Sequence, residues 1–277
     1  MKHGYGQYCP LALAAEMLCE RWTLLVISRL IDGANQFNAI HRGLPRITPA
    51  MLTKRLRELQ AAGLIVSPPV SRGNARRYEL TEAGRSLAPL LENLAIWGQR
   101  WARDMRADDL DPAFLAWSMH LRMDSGRLPP GRVVLGFEFS GAPRDLWRFW
   151  LVSEDGAVEM CLDDPGCDTD VCVRSDLRVF IESWRGIRDL RREIDAGRIK
   201  VFGPPAMTRQ FPDWLQLSSF APYERMKPGR ERRLKNSGPG ARARLAPPKA
   251  SSRPARGSRA SIPRTPRRDR TAPAPSR

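Results

Sequence analysis

Apolar residues recur every three or four positions through much of the first hundred residues, a spacing that predicts helices. The clearest stripe is formed by Leu52, Leu56 and Leu59, with mostly polar or charged residues between them. Thr48 suits the N-cap of this helix, and Gly63 suits the left-handed position just beyond its end. The pattern therefore predicts an amphipathic helix that buries one face and presents the other to solvent.

A β-hairpin is predicted directly after this helix. The short apolar run 64–66 is followed by the turn-rich basic stretch 71–74 and by a second strand at 76–80. A capped helix followed by a hairpin with arginines at its tip is typical of a winged helix-turn-helix domain, in which one helix enters the DNA major groove. We therefore expect this part of the chain to bind double-stranded DNA.

Helices are also predicted on both sides of these two elements. Three precede the capped helix, at 10–19, 21–31 and 36–43, and one follows the hairpin with Thr81 as its cap. This last helix carries a long apolar stripe at the end of a small domain, formed by Leu87, Leu90, Leu91, Leu94, Trp97 and Trp101. The same helix of a second copy is the simplest surface to cover the stripe, so we expect a homodimer.

From residue 111 onward the apolar pattern changes, and strands become the main prediction. Asp111 suits the N-cap of a helix at 113–123. The alternating spacing of Leu135, Phe137 and Phe139 is then typical of a strand. Further strands are expected at 146–152, 157–162, 171–173 and 198–202, and further helices at 177–184, 187–196 and up to 217. This order predicts an α+β fold for the second half.

Charge divides the 277-residue chain into three parts. The net charge is +16, of which residues 1–107 carry +7, residues 108–226 carry −5 and residues 227–277 carry +14. We expect a DNA-binding and dimerisation domain in the first part and an α+β domain in the second. The third part, rich in Arg, Pro and Ala, is expected to be a disordered basic tail. It either holds DNA phosphates without sequence preference or is an extension with no dedicated role.

Candidate DNA contacts follow from placing the helix after Thr48 in the major groove. The N-terminal half of a recognition helix meets base edges, and a wing contacts phosphates or the minor groove. The alternative is that this basic surface is simply solvated. The expected DNA-binding residues are Thr48, Ala50, Met51, Thr53, Lys54 and Arg57 on the helix, and Arg72, Arg76 and Arg77 on the wing.

Short motifs lie in one register along residues 5–103. They are Cys9-Pro10, Arg21 to Leu25, Gln36 to Asn38, Leu44 to Thr48, Met51-Leu52, Arg55-Leu56, Leu59, Ala62 to Leu64, Tyr78 to Thr81 and Trp97-Gly98. Together they resemble the HxlR family, which implies a dimeric winged-helix transcription regulator related in style to the MarR proteins. Two departures bear on which DNA sequence is read, since Gln36 stands where the family often has a basic residue and 68–77 has its own sequence.

Cys9 is a candidate thiol sensor. In the family that these motifs resemble, a cysteine just before the first helix serves some members as a sensor of oxidants or electrophiles. A reactive thiol is partly exposed and partly ionised, and a helix N-terminus favours the thiolate. The alternative is a small residue buried at the dimer interface without reactivity.

The element order of the second half is similar to the sterol-carrier-protein-like fold, and the segments 170–173, 176–177 and 196–203 add to this resemblance. It implies an apolar pocket between sheet and helices for a small lipid-like effector. Aromatic residues on strand faces also form ordinary cores, so that alternative stays open. The expected lining residues are Phe137, Phe139, Trp147, Phe149, Trp150, Phe180 and Trp184.

Enzymatic, cofactor and metal sites are not expected. The three histidines lie far apart, and Cys161, Cys167 and Cys172 lack the spacing of zinc ligands. Cys161 and Cys172 are expected as neighbours on one sheet face if the strands pair in the simplest way, which leaves a redox pair open. With no signal peptide or apolar run near the ~20 residues of a membrane span, we expect a cytoplasmic protein that joins the nucleoid on binding DNA.

These patterns predict a transcription regulator, with repression favoured, that reads a pseudo-palindromic operator near its own gene. Its second half would sense a small apolar effector. Two alternatives belong to other classes of protein. One is a lipid or small-molecule carrier whose DNA-binding half is vestigial, and the other is a nucleoid-associated protein that coats DNA through its tail.

Overall fold

The computed structural model describes residues 4–69 and 76–226. The first part is helical and carries a two-stranded wing. Its elements are α1 (Pro10–Leu18), α2 (Thr23–Ile31), α3 (Phe37–Arg42), α4 (Pro49–Ala61), β1 (Ile65–Val66), β2 (Glu79–Leu80), α5 (Glu82–Arg85) and α6 (Ala88–Trp101).

Helix α4 begins and ends where the sequence predicts. Thr48 Oγ1 accepts a hydrogen bond from the Met51 amide at 3.3 Å, which caps the first turn. Just beyond the helix, Gly63 has a φ of +70°, a left-handed conformation that glycine adopts without steric cost. The three leucines of the predicted stripe are buried in the core of this region.

Helix α2 starts two residues later than the prediction of 21–31. Trp22 has a φ of +77°, so the backbone turns left-handed there and the helix begins only at Thr23. A bulky residue rarely adopts this conformation, and a sequence pattern gives no sign of it.

The wing is held at its base by two partners. Strands β1 and β2 pair antiparallel, with Ile65 opposite Leu80, while Arg77 forms an isolated bridge with Gln36 next to α3. The predicted strand at 76–80 is therefore shared between β1 and the segment before α3. The predicted tip, 71–74, lies outside the described residues.

The single helix predicted after the wing is divided into α5 and α6. Thr81 caps α5 as expected, since its Oγ1 accepts a hydrogen bond from the Gly84 amide at 3.1 Å. Helix α6 then starts afresh at Ala88 with Pro89 in its first turn. A proline inside a continuous helix would lack the amide donor and clash with the preceding turn, which accounts for the break.

The second half alternates strands and helices in the predicted order. Its elements are α7 (Pro112–His120), β3 (Val133–Ser140), β4 (Arg148–Glu154), β5 (Ala157–Cys161), β6 (Val171–Asp176), α8 (Leu177–Trp184), α9 (Leu190–Asp195), β7 (Ile199–Phe202) and α10 (Pro205–Trp214).

These strands form one mixed sheet in the order β5-β4-β3-β6-β7. Strands β3 and β6 run parallel in the middle, and every other neighbouring pair is antiparallel. The helices α7, α8 and α10 cover one face and bury the main core with it. This arrangement agrees with the α+β prediction.

The pairing separates two cysteines that the simplest pairing would make neighbours. Cys161 lies opposite Trp150, Trp150 lies opposite Gly136, and Gly136 lies opposite Cys172. Two strands therefore stand between the thiols, which puts their backbones roughly 14 Å apart. A direct disulfide is excluded at that separation, because it needs Cα atoms within about 7 Å.

Two large hydrophobic cores lie within the described residues, one among α2, α3, α4 and the wing and one beneath the sheet, beside a small cluster of Val134, Trp150 and Val152. Both cores belong to a single compact unit, which includes all the described residues. The predicted domain limits at 107 and 226 stay predictions, and the predicted tail at 227–277 lies outside the described residues. Within 4–69 and 76–226, no helix is long and apolar enough to cross a membrane.

Candidate nucleic-acid interface

The outward side of α4 carries six of the predicted DNA-binding residues. Thr48, Ala50, Lys54 and Arg57 are exposed, whereas Met51 and Thr53 are half-buried. Lys54 and Arg57 form no ion pair with any residue that the structure describes. Their positive charges are therefore available to an external anion such as a phosphate.

The half-buried residues of this surface have less freedom than the cations. Thr53 Oγ1 donates its hydrogen to the Pro49 carbonyl at 2.9 Å, so the hydroxyl presents lone pairs outward. It is thus arranged to accept a hydrogen bond, as from the amino group of adenine or cytosine. Met51 packs partly against the core and leaves one edge for apolar contact.

Arg55 is buried and ion-paired, whereas Arg57 is exposed, although both lie on α4. Its side chain is only 5% exposed and forms ion pairs with Glu20 at 3.2 Å and with Glu58. It therefore ties α4 to the segment after α1 and cannot reach DNA. The signal in the sequence is its position, three residues after Leu52 and four before Leu59, which places it on the buried stripe.

At the base of the wing, Arg76 is fixed beside the end of α4. Its Nε donates to Ser67 Oγ at 2.8 Å and its Nη2 to Gln60 Oε1 at 3.4 Å, and its guanidinium lies 5.5 Å from the Tyr78 ring centre. Arg76 and Arg77 are both exposed. The structure thus brings Arg76 next to α4 and Arg77 next to Gln36, while Arg72 falls outside the described residues.

Comparison with known proteins identifies the family to which this helical region and its wing belong. The family model for the HxlR-like helix-turn-helix matches residues 17–106. The HTH-type transcriptional regulator YvaP of Bacillus subtilis is 31% identical over 112 residues, which cover 40% of this chain and 96% of YvaP. The chain belongs to the HxlR-like helix-turn-helix family. It is a transcription-regulator family with a MarR-like winged helix-turn-helix, and membership implies DNA binding.

Other relatives cover about a third of the chain. An HTH-type transcriptional regulator of Methanothermobacter thermautotrophicus is 40% identical over 96 residues, which cover 34% of this chain and 72% of that protein. Among solved structures, the reduced form of the transcriptional regulator YodB from B. subtilis is 29% identical and has a TM-score of 0.31. That match covers 34% of this chain and 93% of the YodB chain.

In this HxlR-like region, helix α6 leaves an apolar face uncovered. Leu90, Leu94 and Trp97 are 52%, 47% and 58% exposed, and Trp101 is also exposed. Leu11 and Leu13 on α1 are exposed as well. Single exposed apolar residues are ordinary, but several on one helix are typical of a protein contact.

Cys9 of the HxlR-like region lies at the N-cap position of α1 and is exposed. Its side chain makes no capping hydrogen bond. Exposure at a helix N-terminus supplies the access that a reactive thiol needs.

Beyond the HxlR-like region, four of the predicted pocket residues form a tight cluster. Phe137 contacts Phe149 and Phe180 with ring centres 5.0 and 5.8 Å apart, and Phe139 contacts the same two rings. All four side chains are buried in the core beneath the sheet. Their rings occupy the space between sheet and helices in which a pocket was expected.

The other three predicted pocket residues lie apart from one another. Trp150 packs on the opposite face of the sheet with Val134 and Val152, and Trp147 is exposed in the segment before β4. Trp184 packs at the edge of the core and lines a cleft next to α7. The structure therefore does not bring the seven residues together around one cavity.

Proposed function

We propose that this protein is a homodimeric transcription repressor that reads a pseudo-palindromic operator near its own gene. The observation that carries the proposal is the outward face of α4. It is a capped helix in an HxlR-like region, and it presents Lys54 and Arg57 without ion pairs among the described residues. A helix of this kind fits the major groove of B-DNA.

Each part of this surface has a proposed role. Thr48, Ala50, Met51 and Thr53 meet base edges, with Thr53 as an acceptor and the two apolar side chains against thymine methyl groups. Lys54 and Arg57 take guanine or phosphate. Arg72, Arg76 and Arg77 take phosphates or the minor groove, which fixes position more than sequence.

The exposed face of α6 supports the proposed dimer. Pairing α6 with its copy would cover Leu90, Leu94 and Trp97 and would relate the two α4 helices by a twofold axis. Two recognition helices related in this way read half-sites one helical turn apart, roughly 34 Å. We therefore expect a short inverted repeat.

The second half is proposed to sense a small apolar effector and to carry no catalytic activity. Its order of helix, three antiparallel strands, returning strand, paired helices, last strand and terminal helix supports the resemblance to the sterol-carrier-like fold. Cys9 is proposed as a second input, through oxidation of its exposed thiol. Either signal regulates transcription only if it favours the DNA-bound or the DNA-free dimer, because equal affinity for both shifts nothing.

The test is binding of the full-length protein to its own upstream DNA and to a scrambled duplex across a salt series. We expect a preference of about 10³-fold or more for the upstream DNA. The triple variant T53A/K54A/R57A should lose most of that preference. The matched control K200A/R209A removes two exposed cations from the second half and should keep it.

Equal and weak binding to both duplexes would contradict the repressor proposal. If that binding also resisted the triple substitution in α4, it would indicate a DNA-coating protein that acts through its basic extension. Tight binding of apolar ligands without any effect on DNA would instead indicate a carrier.

A further inference from the structure

A cleft of about 790 Å³ lies between the HxlR-like region and the second half. Its walls come from α2, from residues 102–111, from α7 and α8, and from residues 218–220. The apolar part is formed by Phe114, Trp117, Leu121, Ile181, Trp184 and Phe220. This volume is within the range of small-molecule sites, which run from about 300 to 1,000 Å³.

The charges of the cleft do not balance. Arg29 pairs with Asp32 at 3.1 Å, and Arg103 pairs with Asp109. Asp111, the remaining acid of the lining, is paired with Arg46 from outside the cleft at 3.0 Å.

Two arginines of the lining are left over. Arg122 donates to the Leu217 carbonyl and to Ser219 Oγ, and Arg185 donates to Gln99 Oε1. Within 4–69 and 76–226, neither forms an ion pair. The apolar cleft therefore carries surplus positive charge.

Arg29 and Arg185 are also partly withdrawn from water. The Arg29 side chain is 10% exposed, its Nε is buried without a partner among the described residues, and its guanidinium lies 4.1 Å from the Trp117 ring centre. Burial, and then the positive charge of Arg225, lower the pKa of Arg185. An anion in the cleft would stabilise the Arg185 guanidinium, which is partly buried and has no ion-pair partner among the described residues.

We propose that this cleft binds a small amphipathic carboxylate, with its ring or short chain on the apolar wall and its carboxylate neutralised by Arg122 and Arg185. Guanidinium groups match the planar carboxylate, and the aromatic rings suit a flat apolar body. Asp32 and Asp109 nearby disfavour a dianion such as a phosphate monoester. The site differs from the pocket expected between sheet and helices, which phenylalanine rings fill.

The cleft also touches the residues that hold the recognition helix. A Cβ added to Gly43 would lie 2.7 Å from both Arg29 Cδ and the Trp117 ring, so the end of α3 rests directly on the cleft wall. Arg46, in the turn before α4, is held by Asp111. A carboxylate that prefers one arrangement of this wall would therefore change the position of α4 and the affinity for DNA.

The first test is calorimetric titration of the full-length protein with benzoate, 2-naphthoate and octanoate, each beside its neutral amide. We expect one site per chain and at least ~10-fold tighter binding of the best carboxylate than of its amide. R185Q should lose about that factor for the carboxylate and leave the amide unchanged. R144Q, which removes an exposed arginine far along the chain, should change neither.

Two further variants test the other arginine and the space of the cleft. R122Q should act like R185Q, and S118W should block both carboxylate and amide because Ser118 lines the cleft. Circular dichroism and thermal unfolding report whether each variant is folded. Absence of binding for all three carboxylates, equal binding of carboxylate and amide, or an equal loss in R144Q would overturn the proposal.

The effect on DNA rests on the proposed function and is measured separately. The tightest carboxylate should shift affinity for the upstream duplex at least ~5-fold in the wild type and not in R185Q. If the protein fails to prefer its upstream DNA, the repressor proposal fails while the titration still stands. If DNA is read normally but no carboxylate binds, only the proposal for the cleft fails.

Discussion

The two halves of this protein place their candidate sites in different ways. In the HxlR-like region, the candidate DNA surface is the outer side of one helix, so its residues are close in the sequence. In the second half, four of the expected lining residues pack against one another, and the cleft beside this half is built from segments far apart in the chain. A site on one helix follows from periodicity, whereas a site between segments follows only from the fold.

Phe137→Ala tests the claim that the aromatic cluster is a core and not an open pocket. The side chain is fully buried against three other rings, so we expect a loss of about 3–5 kcal/mol in the free energy of unfolding. Phe114→Ala is the matched control, because that ring is exposed in the cleft and should cost less than about 1.5 kcal/mol. Urea denaturation measures both, and equal losses would contradict the distinction.

Trp97→Glu tests whether the exposed face of α6 is the dimer contact. We expect W97E to weaken the free energy of dimerisation by at least ~2 kcal/mol, since a buried tryptophan at the centre of an interface is a typical hot spot. The monomer fold should persist because the side chain is more than half exposed. Sedimentation velocity checks this, with the exposed Trp147→Glu as control. A dimer that survives W97E would place the interface elsewhere.

Arg55 and Arg57 offer a comparison within one helix. Arg55→Met should lower the free energy of unfolding by about 1–3 kcal/mol, because it removes a buried ion-paired group, with part of the effect screened at the exposed glutamates. Arg57→Met should change stability by less than about 0.5 kcal/mol. R57M should weaken DNA binding more than R55M does. If Arg57 holds a phosphate, the slope of log K against log salt concentration should become smaller by about 0.9 in R57M. Identical behaviour of the two variants would break the assignment.

His120 gives the smallest expected effect, and it lies where the two halves meet. Burial lowers its pKa from the usual value near 6.5, and the charge of Arg42 adds to this. The unfolded chain therefore binds a proton at higher pH than the folded chain does, so stability falls as the pH drops through about 6.5. His120→Gln should flatten the change in urea midpoint between pH 7.5 and 5.5. His41→Gln is the control, and an equal flattening there would contradict the assignment.

Much of the first half is predictable because its signals are local. Thr48, the leucine stripe and Gly63 define α4 within sixteen residues, and the structure confirms each of them. The structure differs from the prediction at Trp22, whose left-handed backbone delays the start of α2, and at Pro89, where α6 starts afresh. The spacing of Arg55 places it on the buried stripe, but no pattern indicates its ion-pair partner Glu20, which lies 35 residues earlier.

The second half shows where sequence patterns reach their limit. The alternation of apolar residues correctly predicts that Phe137 and Phe139 share a buried face. It does not distinguish a packed core from a ligand pocket, because both are lined by the same apolar residues. The cleft depends on Arg29, Trp117 and Arg185, which the sequence spaces more than 60 residues apart. No local pattern links them, since their proximity arises only when α2, α7 and the end of α8 come together around the cleft.

The parallel pair at the centre of the sheet bears on the order in which the chain acquires its structure during synthesis. On one side, strand β3 pairs with β4, which follows after a short turn. On the other side it pairs with β6, whose last residue comes 36 residues after the last residue of β3. At ribosomal rates of about 5–20 residues per second, the edge of β3 that pairs with β6 lacks its partner for roughly two to seven seconds. During this interval the HxlR-like region is already complete, and the apolar strand β3 has an unpaired edge that a neighbouring nascent chain can occupy.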